Sequence, residues 1–436
     1  MASASTFLSH PNHHANDVVS SAICQFKSCS FASQSTLFCS KFASKSLSLH
    51  TAPTRPGRPE PACASDSEPI SASHSHQTFD VLIIGAGIIG LTIARQFLIG
   101  SDLSVAVIDK SVPCSGATGA GQGYIWMTHK TPVSDLWDFG LRSQRLWEDL
   151  AESLSEQGLD PLQLLGWKKT GSLLVGRTPE ESDMLKGRVK LLCEAGLRAE
   201  YLSAIDLLVK EPELMVDKDT GAAFLPDDCQ LDARRAVEFL EKGRYAEFYN
   251  DRVISLLRSG GSGEVEAIKT SRNILHTKKA IVVAAGCWSG SLMCDLLRES
   301  EVVLDVPVKP RKGHLLVLEN FNSFQLNHGL MEVGYVDHQT AIPLPNISTS
   351  GLLDHDGQTL SVSMTATMDT AGNIVLVPDG KPVIGPVPGL ANVFLATGHE
   401  GGGLSMALGT AEMLADMVIG NPEKVNSAPF AVHGRC

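Results

Sequence analysis

The run FDVLIIGAGIIGLTIARQFLIGSDLSVAVIDK, Phe79 to Lys110, constrains the fold more than any other stretch of the 436-residue chain. Val81–Ile84 is apolar and largely β-branched, the pattern of a buried parallel strand. It ends in Gly85-Ala86-Gly87-Ile88-Ile89-Gly90. An apolar helix is predicted to about Ile99, then a second strand, Val105–Ile108, ending at Asp109. This is a βαβ unit with dinucleotide-binding spacing. Gly85 permits the tight turn, Gly87 lets backbone approach a pyrophosphate, and Gly90 lets helix pack on strand. The helix N-terminus offers unpaired N–H groups to phosphate. Asp109, 19 residues beyond Gly90, stands where an acid binds ribose hydroxyls. Val81 to Gly100 is long enough to cross a bilayer. Its Arg95 and four glycines fit a strand, turn and helix better, so no transmembrane segment is expected.

Cys114-Ser-Gly-Ala-Thr-Gly-Ala-Gly-Gln-Gly123 follows Asp109 closely and could wrap a long ligand with backbone N–H groups. Helices are predicted at Ser134–Leu154, Glu180–Ala195, Asp232–Glu241 and Leu404–Ile419. Strands are predicted at Thr170–Gly176, Arg252–Leu257, Lys279–Ala285, within Val302–Leu318, and at Ile374–Leu376 and Val393–Ala396. Strands mixed with long helices make this an α/β chain.

The formal charge is −12, from 36 Lys and Arg against 48 Asp and Glu, with no basic run to attract nucleic acid. Ten cysteines include no C-x-x-C pair, so neither a zinc site nor a disulfide framework is expected. Residues 1–75 are Ser-rich, and Asp17 is the only acid before Glu60. That is the composition of an organelle transit peptide, with chloroplast favoured over mitochondrion.

In this order the pieces resemble the FAD-dependent oxidoreductases of the D-amino-acid oxidase, glycine oxidase and sarcosine oxidase family, in particular a plant plastid member. Four motifs carry the resemblance. They are the Gly85–Gly90 unit with Asp109, the loop Ser115–Gly121, Ala284-Ala-Gly-Cys-Trp288, and Pro378-Asp-Gly-Lys-Pro-Val-Ile-Gly-Pro386 leading to Thr397-Gly-His-Glu-Gly-Gly-Gly403.

The resemblance implies a Rossmann-type FAD-binding domain, a parallel sheet with helices, plus a discontinuous antiparallel-sheet substrate domain. The FAD domain would comprise 79–175, 222–298 and 372–421, and the substrate domain 176–221 and 299–371, with 422–436 a tail. Gly85, Gly87 and Gly90 would hold the pyrophosphate and Asp109, followed by Lys110, the adenosine ribose. Ser115, Thr118 and Gly121 would meet the phosphates, and Val253 the adenine. Ala285, Gly286 and Trp288 would line the ribityl region. Gly398, His399, Gly401, Gly402, Gly403 and Leu404 would lie by the flavin's pyrimidine edge. There the helix entering at Leu404 offers a positive dipole end to the anionic reduced ring. His399 suits a flavin contact and a packing role equally, and without a second His at 403 it is no metal ligand by motif.

The implied reaction is oxidation of the C–N bond of a small amine or amino acid, with hydride passing to flavin N5 and hydrolysis of the imine. FAD would be non-covalent, and oxygen or an electron carrier the acceptor. No catalytic side chain is assigned. Alternatives are a flavoprotein of another type (an NADPH-dependent hydroxylase or an RNA-modifying enzyme) or a catalytically impaired FAD-binding isoform. The chain departs from the family where Ile374-Val-Leu376 joins directly to Val377-Pro378-Asp379-Gly380, as in a shortened substrate domain. No Arg lies between Arg311 and Arg435, so the usual carboxylate clamp is missing from its place. Lys381 is not assigned that role. Arg311, Lys312 and His314 suit a substrate face or a solvated strand end, and Trp126 and Tyr335 a pocket wall or the core.

Overall fold

Val81–Ile84 is wholly buried and forms the inner end of strand β1 (Ser75–Ile84). A computed structural model describes residues 75–258, 264–298, 302, 304–308, 326–334, 365–368, 374–375 and 382–435. Outside the described residues lie the predicted leader up to 74, Lys309–His314, Tyr335, most of 299–371, the 376/377 join and Pro378–Lys381.

β1 lies between two parallel neighbours, β2 (Val105–Ile108) and β11 (Asn273–Val283), with Val81 opposite Val105 and Ala280. The sheet continues through β8 (Ala246–Phe248) beside β2, and through β16 (Val393–Thr397) and antiparallel β15 (Val383–Pro386) beside β11. β9 (Val253–Arg258) and β10 (Val265–Thr270) form a hairpin attached to β11.

Strand alternation feeds two cores. Val81, Ile83, Val105 and Val107 point to one face, where they join side chains from α1 (Ile88–Gly100), α2 (Asp135–Glu156), α3 (Pro161–Leu165), α6 (Ala233–Glu241) and α8 (Gly403–Ile419). Leu82, Ile84, Ala106 and Ile108 point to the other, with β9, β10 and α7 (Ser289–Leu297). Val81–Gly100 is thus strand, turn and buried helix. Among the described residues no helix is long and apolar enough to cross a membrane.

A second sheet runs β14 (Ile374–Val375), β13 (Thr365–Met368), β12 (Gly329–Glu332), β4 (Ser172–Gly176), β6 (Gly221–Leu225), β5 (Glu200–Ser203). It is antiparallel except for β12 with β4. It takes in β4, β14 and Gly221–Leu225, whereas the resemblance implies that 172–175, 374–375 and 222–225 belong to the FAD domain. α4 (Pro179–Glu194) packs against it, opened by a Thr178–Glu181 capping box. α5 (Ala204–Lys210) covers its β5 edge. A two-stranded ladder, β3 (Tyr124–Ile125) with β7 (Cys229–Gln230), lies between the two sheets in sequence.

Residues 422–435 pack closely rather than trailing as a tail. Phe430 and Val432 are fully buried, Phe430 with its ring 4.8 Å from that of Phe139. Lys424 bridges Glu412 (3.1 Å) and Asp416 (3.0 Å) on α8, and Arg142 of α2 grips Glu412 through two bonds. Burial alone would raise the Glu412 carboxyl, but the bonds from Arg142 and Lys424 hold it below the ordinary value.

Candidate cofactor and active site

A cleft of about 1390 Å³ runs along the C-terminal ends of the parallel strands, where ligands of open α/β sheets bind. Clefts that hold drug-sized ligands span about 300–1,000 Å³, so this one suits a longer molecule.

The turn after β1 forms part of its floor. Gly85 has φ +121°, and a Cβ there would lie 2.3 Å from the Ala284 carbonyl oxygen. Only glycine fits. Gly87 differs, with an ordinary φ of −81°. A Cβ on it would meet only the Thr118 hydroxyl, at 3.2 Å. Its open side is therefore the cleft. A Cβ on Gly90 would fall 1.9 Å from the Gly85 carbonyl oxygen, so its role is close packing of α1 on the strand turn.

Asp109 shapes this turn as well as facing the cleft. Its Oδ2 accepts from the Ala86 N–H (2.7 Å) and its Oδ1 from the Ser111 N–H (2.8 Å). The loop after it folds back over the α1 N-terminus, with the Cys114 N–H donating to the Ala86 carbonyl and the Thr118 hydroxyl accepting from the Ile88 N–H (3.1 Å). Thr118 keeps its own O–H for donation towards a ligand. On the opposite wall, Lys110 places Nζ 4.0 Å from the ring centroid of half-exposed Trp288. This cation–π contact joins two motifs far apart in sequence.

The far end is built by the turn from β16 into α8. The first turn of this 17-residue helix has no acidic residue and no side-chain cap, so about half a positive charge faces the cleft. His399 is buried, with Nε2 2.8 Å from the Thr410 hydroxyl. That hydroxyl donates to the Met406 carbonyl, so the imidazole Nε2–H is the donor between them. His399 therefore braces α8 while also lining the cleft. Buried Trp147 of α2 donates its indole N–H to the Leu404 carbonyl (3.0 Å), holding the same turn. Trp147→Phe is expected to cost about 1–2 kcal/mol of stability, seen as a lower urea midpoint at unchanged slope.

The second sheet reaches the cleft through Gln122. Its side chain accepts from the Thr365 hydroxyl (2.6 Å) and donates to the Thr365 carbonyl (3.3 Å). Tyr124 lines the cleft and stacks at 4.9 Å against Trp126, whose ring abuts Gly329 of β12. This segment hangs on Asp228, which is 1% exposed. Asp228 accepts from the N–H groups of Met127 and Thr128, the Ser172 hydroxyl and the Gln144 amide. Burial pushes its carboxyl up to about 6 despite those four bonds. Arg188, lowered to about 10 by burial, donates to the Thr128 and Lys130 carbonyls from the other side.

The structure brings together Gly85, Gly87, Asp109, Lys110, Ser115, Thr118, Gly121, Val253, Ala285, Gly286, Trp288, Gly398, His399, Gly401, Gly403 and Leu404 along this one cleft. Gly90 and Gly402 are buried and are not among its lining residues. Gly90 is turned to the strand, and Gly402 is tied by its N–H to the His399 carbonyl. Trp126 is a core aromatic, 1% exposed. Sequence reasoning missed Gln122, Tyr124, Asp228 and Arg435. Gln122 lay within the predicted glycine loop and could have been found there. Asp228 sits in a Pro-Asp-Asp turn that resembles surface. Among the described residues no group of three or more His, Cys, Asp or Glu could hold a metal ion.

A parallel sheet with a glycine turn, an acid at the end of the second strand and two helix N-termini along one cleft, joined to a second sheet, has the architecture of a dinucleotide-cofactor protein. Residues 80–343 and 358–417 match the family model described as FAD dependent oxidoreductase, and the chain belongs to that DAO family. It is 25% identical over 399 residues to glycine oxidase of Geobacillus kaustophilus, covering 81% of this chain and 96% of the relative. It is 27% identical over 398 residues to glycine oxidase of Pseudomonas aeruginosa, covering 81% and 99%. Its fold is similar to that of L-proline dehydrogenase from P. horikoshii, with TM-score 0.65 and 18% identity over 82% of this chain and 97% of that one.

Proposed function

We propose that the chain oxidises the C–N bond of a small amine or amino acid with non-covalently held FAD. The single observation that carries this is the continuous cleft from the Gly85–Gly87 turn to the uncapped α8 N-terminus, with Gln122 and Tyr124 linking it to the second sheet. The names of the two glycine oxidase relatives support the substrate class.

The residues present fit the cofactor. Gly87 leaves open a space that any side chain would fill, and Asp109 retains acceptor capacity beyond its two backbone bonds. Bound FAD supplies a two-electron acceptor whose N5 takes a hydride from the carbon bearing nitrogen. The chain binds and orients. The Gly87–Ile89 turn and the Thr118 hydroxyl would hold the pyrophosphate, and Asp109 the ribose. Lys110 and Trp288 flank that half. The Gly401–Leu404 turn would offer N–H groups and the helix dipole to the flavin, where they would favour the negative charge that reduction brings. Tyr124 closes the side beneath the second sheet. Proton transfer is not assigned to a side chain, because a neutral amine can lose hydride when held in place. Oxygen or an electron carrier would serve as the final acceptor, and the imine product would be hydrolysed by water.

The test is anaerobic mixing of the yellow protein with a panel of amines and amino acids. The expected result is bleaching of the oxidised-flavin band by at least one of them, with ammonia or a smaller amine released. Bleaching by NADPH alone would instead indicate hydroxylase chemistry. Flavin released intact by heat or acid denaturation would show that no covalent bond holds it. We further propose chloroplast import directed by residues 1–75, with the mitochondrion as second candidate. Fusing those residues to a fluorescent protein tests it.

A further inference from the structure

We propose that Lys110 and Trp288 form a strap across the cofactor cleft, closed over the glycine turn of β1, which must part for FAD to enter and which sets how slowly it leaves. This rests on the cofactor placement of the proposed function and adds to it the control of cofactor exchange.

Strand order puts the two side chains on opposite walls. Lys110 follows β2 and Trp288 follows β11, and these strands lie on either side of β1. Paired strands are about 4.8 Å apart, so the ends of β2 and β11 are separated by about 10 Å. The Gly85–Gly87 turn lies between them. Lys110 Nζ nevertheless stands 4.0 Å from the centroid of the Trp288 ring. Both residues line the cleft, as do Gly85 and Gly87. The two side chains therefore meet across the gap over the turn, where a dinucleotide would lie.

The glycine loop backs this contact. A Cβ on Gly116 would lie 3.4 Å from Cζ3 and 3.8 Å from Cη2 of Trp288, so the edge of the indole rests against the loop. Gly116 also lines the cleft, and two residues on, Thr118 accepts from the first N–H of α1. The strap thus ties together the segments after β2 and β11 and the loop that covers the helix entry.

Its roots are fixed and its tips are exposed. The Asp109 N–H donates to the Phe248 carbonyl (3.0 Å) and the Ser111 carbonyl accepts from the Asn250 N–H (2.9 Å), which pins the backbone on both sides of Lys110. The Trp288 N–H donates to the Ala285 carbonyl (3.2 Å), and the Trp288 carbonyl accepts from the Ser291 hydroxyl (3.0 Å). The Lys110 side chain is exposed and Trp288 is 45% exposed. Opening therefore requires rotation about side-chain bonds and no rearrangement of the sheet.

The chemistry suits a contact that opens and recloses. A cation–π pair is weak in water and strengthens when desolvated. A dinucleotide beneath the pair would displace water from it, so occupancy favours closure. The ring also engages only one side of the ammonium, which has three N–H donors. Lys110 can hold the strap and donate to a phosphate together.

The test measures FAD entry and release in wild type, Lys110→Met, Trp288→Leu and the double variant. Release is followed by displacement with excess 5-deaza-FAD, and entry by the change in flavin fluorescence on mixing with flavin-free protein. Release is expected to quicken at least about 5-fold in each single variant, with entry also faster, and the double variant should be no faster than the singles. Lys110→Arg, which keeps a cation for the ring, should stay within about 2-fold of wild type. Unchanged release in Lys110→Met overturns the proposal. So does faster release with unchanged entry and effects that multiply in the double variant, the mark of two independent contacts to the cofactor. Should Trp288→Leu melt early, the exposed Lys110→Met decides. A wild type that takes up no FAD refutes the cofactor placement and the strap with it, whereas one that binds FAD and exchanges it as fast as the variants refutes the strap alone.

Discussion

Gly87→Trp is expected to give a folded, colourless protein. The backbone at Gly87 has φ −81°, which any residue adopts, and the nearest obstacle to a Cβ is a hydroxyl 3.2 Å away. The indole must therefore extend into the cleft where the pyrophosphate would approach. Two or more charge-assisted bonds would be lost, each worth about 1.5–3 kcal/mol, so FAD affinity should fall at least about 100-fold. Flavin-to-protein ratio after gel filtration reads the loss, and an unchanged circular dichroism spectrum and melting temperature exclude unfolding. Wild-type yellow colour in this variant would refute the cofactor placement. Gly85 is unsuited to the same test, because its φ of +121° and its contact with Ala284 would break the turn itself. Asp109 is also unsuited, since removing its carboxylate frees the Ala86 and Ser111 N–H groups as well as any ribose.

Asp228→Ala should produce the largest loss of stability, about 3–5 kcal/mol. Four buried or partly buried donors converge on this carboxylate, and a stranded donor costs about 1–3 kcal/mol before relaxation. Urea unfolding measures it, and a loss under about 1 kcal/mol would show that the hub is dispensable. The group also carries a pH signature. Its folded value is raised to about 6 from the ordinary 3.8. As pH rises, the unfolded chain loses this proton first, so the group's contribution is largest below about 4 and declines through about 6. The stability advantage of wild type over Asp228→Asn should therefore shrink between those values. Growth of the advantage with pH would contradict the shift.

The cofactor half was legible because its signals are local. An apolar strand, glycines at fixed spacing and a terminal acid occupy one continuous stretch, and each residue type answers a short-range need. The second sheet was less legible. Ser172–Gly176 and Gly221–Leu225 are short apolar runs that would suit either sheet, and their partners are chosen by tertiary packing. β11 extends back to Asn273, before the predicted start at Lys279, because its first half pairs with β1 and β10, while His276-Thr-Lys-Lys279 carries no strand pattern of its own. His399 could not be decided from sequence, since only the fold brings Thr410 to its Nε2. Arg435 lies in a polar stretch that composition alone marks as a tail, and only the burial of Phe430 and Val432 reveals that it is anchored.

The strand order has a consequence for biogenesis. β1 sits in mid-sheet, yet one of its neighbours, β11, is about two hundred residues downstream, and β16 is encoded more than a hundred later still. During synthesis one edge of β1 must wait unmatched until β11 has been made, and the far edge of β11 then waits for β16. Such distant pairing is slow and leaves nascent chains open to aggregation. The nucleotide trough is therefore among the last features to be completed, which makes chaperone supply a determinant of yield.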